Sequence, residues 1–87
     1  MFAIVVYDVS QSRVAKVLKH CRRYLYWVQN SVFEGQITSA QLRIMKDGLR
    51  KIIDPSEDSV IIYTFRTMKY SSVETLGVKK GGEDSIL

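Results

Sequence analysis

Phe2-Ala3-Ile4-Val5-Val6-Tyr7, closed by Asp8, is the stretch on which the reading of the fold turns. A run of apolar and β-branched residues this short, ended by a turn-forming acid, predicts a central β-strand rather than a helix. Side chains alternate along a strand, so Phe2, Ile4 and Val6 point one way and Ala3, Val5 and Tyr7 the other. Both faces are therefore apolar. Val60 to Phe65 repeats the pattern, with Val60 and Ile62 opposing Ile61, Tyr63 and Phe65. A sheet covered on one face and wet on the other would alternate apolar and polar residues instead.

Between these strands the periodicity changes. Ser10 or Ser12 is placed to cap a helix over residues 12 to 24, with Val14, Val17, Leu18, Cys21 and Leu25 on its apolar stripe. Tyr26 to Ile37 reads as two extended segments broken near Gln29-Asn30. Thr38 or Ser39 caps a second helix, striped by Leu42, Met45, Leu49, Ile52 and Ile53 and stopped by Asp54-Pro55. The loop from Asp54 to Asp58 is acidic. Val73 to Leu76 reads as a short strand, residues 79 to 84 as a polar linker, and Ser85-Ile86-Leu87 as a last strand fragment.

The order is strand, helix, two strands, helix, strand: an α+β, ferredoxin-like βαββαβ core over residues 1 to 66, with residues 67 to 87 as an extension of the same domain. Two helices cover one sheet face. The other needs a partner sheet, and a second copy is the simplest one, which predicts a face-to-face homodimer. At 87 residues a single domain buries only about 60% of its unfolded surface, so a second copy would also add stability.

The formal charge of +4 is concentrated. Residues 10 to 53 hold Arg13, Lys16, Lys19, Arg22, Arg23, Arg43, Lys46, Arg50 and Lys51 against Glu34 and Asp47, an excess of +7. Such an excess suits a polyanion, and it equally suits a solvated helix face. Lys16, Lys19, Arg22 and Arg23 on the first helix are the expected nucleic-acid contacts. His20, the single histidine, is expected on that same basic surface. Cys21 stands alone, so neither an intrachain disulfide nor a cysteine metal site is available, and it reads as core. The opening apolar run has no basic lead and no stretch is long enough to span a bilayer, which gives the cytoplasm as the expected compartment and no membrane partner.

Asp8, at the carboxyl end of a central strand, is the best-placed acid for chemistry, although turn formation is the commoner use of such a residue. One carboxylate is few for Mg²⁺, but in a two-fold dimer where Asp8 faces its symmetry mate the two carboxylates could share one ion. Arg13 opens the first helix and is placed to meet a phosphate. Ser31 and Phe33 are assigned one strand face, where packing between copies is favoured over base stacking for Phe33. Trp27 and the tyrosines are read mainly as packing residues.

Val6-Tyr7-Asp8-Val9, the Arg13-led helix, the stretch Val28-Gln29-Asn30-Ser31-Val32-Phe33-Glu34-Gly35 and the Val60 to Phe65 strand together resemble the CRISPR-associated protein two family. The resemblance covers residues 1 to 66. It implies a ferredoxin-like homodimer whose carboxy-terminal strands cross to the partner's sheet. It also implies Mg²⁺-dependent cleavage of phosphodiesters in single-stranded RNA or double-stranded DNA, and a bridging role between integrase dimers during spacer acquisition. Asp8 then matches the metal-site aspartate, and Arg13 and Phe33 match the other site residues. Gln11 and Ser12 stand where some members carry an arginine, and so does Trp27. These departures weaken a nuclease and leave intact a DNA-binding adaptor without catalysis. A toxin-type ribonuclease of the same fold is the remaining alternative.

Overall fold

The computed structural model describes residues 1–67 and 70–80. The elements run β1 (Phe2–Asp8), α1 (Gln11–Cys21), β2 (Tyr26–Gln29), β3 (Val32–Gln36), α2 (Ser39–Ile52), β4 (Ser59–Phe65) and β5 (Ser71–Gly77). They form a five-stranded antiparallel sheet in the order β2-β3-β1-β4-β5. The two apolar strands, β1 and β4, are thus adjacent at the centre, with Val5 opposite Ile62 and Asp8 opposite Ser59. Among the described residues no helix is long and apolar enough to cross a membrane.

The expected facing is observed. Ala3, Val5, Tyr7, Val60 and Ile62 are buried beneath the helices with Val17, Cys21, Met45 and Leu49. Full burial of each large apolar side chain contributes about 1.5–3 kcal/mol. Phe2, Ile4, Val6 and Ile61 lie on the other face and stay half-exposed in the single chain. Cross-strand neighbours share a face, so Val6 meets Ile61 and Ile4 meets Tyr63 on this open side.

Thr38 caps α2 with a full capping box: its hydroxyl accepts from the Gln41 N–H, and the Gln41 side chain accepts from the Thr38 N–H. Helix α1 starts differently. Ser10 occupies the N-cap position, but its hydroxyl pairs with the Ser12 hydroxyl and not with a helix N–H. Helix α1 also stops at Cys21 rather than residue 24. Its last turn tightens, with the Arg23 and Tyr24 N–H groups donating three residues back. Asn30, at φ 40°, makes the tight β2–β3 turn where the sequence predicts the break.

Two expectations change. The Val73 to Leu76 strand is longer, Ser71–Gly77, and in the single chain it pairs with β4. Gly77 makes that pairing close: at φ +83° a Cβ would fall 2.2 Å from the Asp58 carbonyl oxygen. Ser85-Ile86-Leu87 lies outside the described residues. The second change is His20, which is not on the open basic surface. Its ring fills a notch over Gly48 of α2, where a Cβ would lie 2.2 Å from the ring, and its Nε2 is 2.9 Å from the Met45 carbonyl oxygen. Gly48 costs helix propensity, about 1 kcal/mol relative to alanine, and the notch it leaves is how the two helices interlock.

Cys21 is fully buried, and burial pushes its thiol up to about 12. The thiolate is the reactive form. Native protein at pH 8 should therefore react with a disulfide reagent at least about 100-fold more slowly than protein unfolded in denaturant. Equal rates would place Cys21 outside the core.

Candidate functional site: Asp8, the Arg13 clamp and the basic helix

Strand β1 ends on the open side of the sheet. By alternation Asp8 continues the Phe2, Ile4, Val6 row, and its side chain is 74% exposed. Its nearest cation is Lys80, with Nζ 3.6 Å from Oδ2, a loose surface contact. Among the described residues no group of three or more His, Cys, Asp or Glu is arranged to hold a metal. One chain thus supplies one carboxylate here, and Mg²⁺ held by one or two carboxylates keeps several waters in its shell. The position of Asp8 on the uncovered face is what a site shared between two copies would need.

Arg13 departs from the expectation of a free phosphate contact. Its Nε donates to Asp58 Oδ2, and its Nη2 donates to Asp58 Oδ1 at 3.1 Å and to Glu57 Oε1 at 2.8 Å. Asp58 is 0% exposed and is the residue that sequence reasoning missed. Its two oxygens also accept the backbone N–H groups of Ser10 (2.9 Å) and Asp54 (2.8 Å). Arg13 holds this carboxyl well below the usual carboxylate range. Burial opposes that shift, and the Asp54 and Ser10 N–H groups reinforce it. One buried anion therefore ties together the β1–α1 turn, the first turn of α1 and the α2–β4 loop. The acid at the amino end of α1 also complements the helix dipole. Asp8 sits two residues from the Ser10 N–H that this clamp holds.

Phe33 is likewise placed differently. It is 0% exposed on the helix-facing side and stacks on Tyr7 with ring centroids 6.0 Å apart. It neither stacks on a base nor packs across the open face. Its strand neighbours Val32 and Glu34 occupy the open side, opposite Val6 and Ile4. Asp8 and Phe33 therefore lie on opposite faces of the sheet, and the structure does not bring Asp8, Arg13 and Phe33 into one constellation.

Lys16, Lys19, Arg22 and Arg23 are exposed along and just beyond α1, and none has an ion-pair partner among the described residues. Lys46 and Arg50, by contrast, are engaged by Glu74, and Arg50 also by Asp47. Beyond Arg23, the edge strand β2 presents Tyr26 and Trp27 at 79% and 54% exposure.

Comparison with known proteins agrees with this architecture. The curated protein of Pyrococcus furiosus named CRISPR-associated endoribonuclease Cas2 is 52% identical over 87 residues, the full length of both chains. A protein of the same name from Dictyoglomus turgidum is 49% identical over the full length of both. Among solved structures, one described as the crystal structure of Cas2 superposes with a TM-score of 0.74 at 40% identity, covering 100% of this chain and 98% of the other. The Streptococcus pyogenes Cas2 structure at pH 6.5 gives 0.70 at 38% identity, over 75% of this chain and 86% of its own. Residues 1–73 match the family described as CRISPR associated protein Cas2. With that match over most of the chain, and full-length relatives at about half identity, this protein belongs to the Cas2 family.

Proposed function

We propose that this chain is a CRISPR adaptation subunit that works as a homodimer on nucleic acid, with a Mg²⁺-dependent phosphodiesterase site made by the two copies of Asp8. The observation that carries the reading is the exposed Asp8 carboxylate at the end of an otherwise apolar, uncovered sheet face. Two such faces packed together would bury Ile4, Val6 and Ile61. The name endoribonuclease carried by the relatives supports the reaction class. A bound Mg²⁺ would supply a water of lowered pKa and stabilise charge developing on the phosphate. Asp8 would hold the ion. Arg13, spoken for by Asp58, would act by fixing the turn behind Asp8 rather than by touching substrate. Phe33 would contribute as packing beneath β1.

Lys16, Lys19, Arg22 and Arg23 form the proposed track for the phosphate backbone of double-stranded DNA or single-stranded RNA. The expected partners are a second copy and an integrase subunit, and the expected compartment is the cytoplasm. The second reading, an adaptor that bridges integrase dimers without catalysis, is favoured by the engagement of Arg13 with Asp58 and Glu57. It uses the same dimer and the same track.

Asp8→Asn separates the two. The variant should lose Mg²⁺-dependent cleavage of RNA and duplex DNA by at least about 100-fold, because asparagine keeps the size but not the charge that the ion needs. Its circular dichroism and duplex affinity should be unchanged. Cleavage at the wild-type rate would make Asp8 structural and favour the adaptor.

The track makes its own prediction. Duplex affinity should fall with log salt at a slope of about −0.9 per neutralised phosphate, with little dependence on sequence. Lys16→Gln should shallow that slope by about one unit. A slope unchanged in Lys16→Gln would remove that residue from the interface.

A further inference from the structure

Five strands are too wide for two helices to cover. Beyond α2, the helix-facing side of β4 and β5 is left as a trough of about 260 Å³. Arg43 and Lys46 of α2 form one wall, and Arg66 stands just past the end of β4. Thr64 and Ser72 line the sheet side, their hydroxyl oxygens 2.6 Å apart. Glu74 is the acid of the lining, and it is already engaged by Lys46 at 2.8 Å and by Arg50 at 3.5 Å. Arg43 and Arg66 are both exposed and have no ion-pair partner among the described residues. No residue of α1 lines the trough, and it lies toward the Phe2 end of the sheet, opposite Asp8.

The geometry points to a second phosphate site in this trough, separate from both the α1 track and the Asp8 site, that takes a phosphate group carried by a nucleotide. Two unengaged guanidinium groups give the planar forks that match phosphate oxygens, and of the hydrogen-bonded Thr64 and Ser72 hydroxyls one keeps its hydrogen free to donate to an acceptor. The acid that would repel an anion is neutralised in advance. The volume admits a phosphate and part of the group carrying it, and is below the roughly 300–1,000 Å³ of sites for whole drug-sized ligands. The phosphate has two sources, a free nucleotide or the end of a nucleic-acid strand. Only the choice between them rests on the proposed function.

The test is amide NMR on the full-length Asp8→Asn chain without Mg²⁺, so its outcome is independent of the metal site. Adenosine 5′-monophosphate and inorganic phosphate, at constant ionic strength, should shift the Thr64, Arg66 and Ser72 amides saturably, and adenosine should not. Arg43→Gln/Arg66→Gln should weaken that binding at least about tenfold, and Lys16→Gln/Lys19→Gln should leave it unchanged. A hexanucleotide with a 5′-phosphate that binds the trough at least about tenfold more tightly than its 5′-hydroxyl form and than the mononucleotide would name the strand end as the ligand. Equal binding of mononucleotide and phosphorylated hexanucleotide would name the free nucleotide. Absence of saturable shifts at these amides, or binding unaffected by the double arginine substitution, would overturn the site.

Discussion

Asp58→Ala should lower stability by about 3–5 kcal/mol at pH 7, the range for removing one partner of a buried ion pair. The substitution strands the Arg13 guanidinium and leaves the Ser10 and Asp54 N–H groups without their acceptor. Domains of this size have roughly 5–15 kcal/mol in all, so the variant should unfold at much lower urea than wild type. Asp58→Asn should lie between the two, because it keeps one carbonyl acceptor but no charge. The effect has a pH signature. The native carboxyl titrates below its unfolded value of about 3.9, so its stabilisation is complete above that pH and is lost as pH falls toward the native value. The gap between wild type and Asp58→Asn should therefore narrow from pH 7 to pH 3 in urea titrations. A gap independent of pH would show that Asp58 acts by shape alone.

Val6→Glu should abolish self-association without unfolding the chain. Val6 lies mid-strand on the open face opposite Val32 and Ile61, so a face-to-face dimer would bury the new carboxylate without a partner. An unpaired buried charge costs at least about 3 kcal/mol, which is more than a hundredfold in dissociation constant. Sedimentation of wild type at micromolar concentration should give a dimer, and the variant should give a 10.0 kDa monomer with the same circular dichroism. A wild-type chain that stays monomeric would leave the open face without its proposed partner.

The elements were legible in the sequence because their signals are local. The two-faced apolar strands, the helical stripes and the Asp54-Pro55 stop each act within a few residues. The Arg13–Asp58 clamp was not legible. Its members are 45 residues apart, and an acidic loop reads as solvent-facing until the fold turns one carboxylate inward. Phe33 carries a signal of its own: it alternates with the polar Glu34 and Gln36, which suit the face that the helices do not cover, so Phe33 belongs beneath the helices. For His20 the signal was Gly48, a residue that weakens a helix interior and stands where the ring needs room. The trough lined by Arg43 and Arg66 depends on how far two helices reach across five strands, which no single segment encodes.

The account centres on a reaction site that neither copy of the chain completes alone. Mixing wild-type and Asp8→Asn chains in equal amounts, allowing subunits to exchange, and measuring Mg²⁺-dependent RNA cleavage tests this directly. If both carboxylates of a two-fold pair hold the ion, only dimers of two wild-type chains cut, and random pairing leaves about one quarter of the activity of the same total amount of wild-type protein. If each Asp8 acts within its own chain, about one half remains, and the shared site is contradicted.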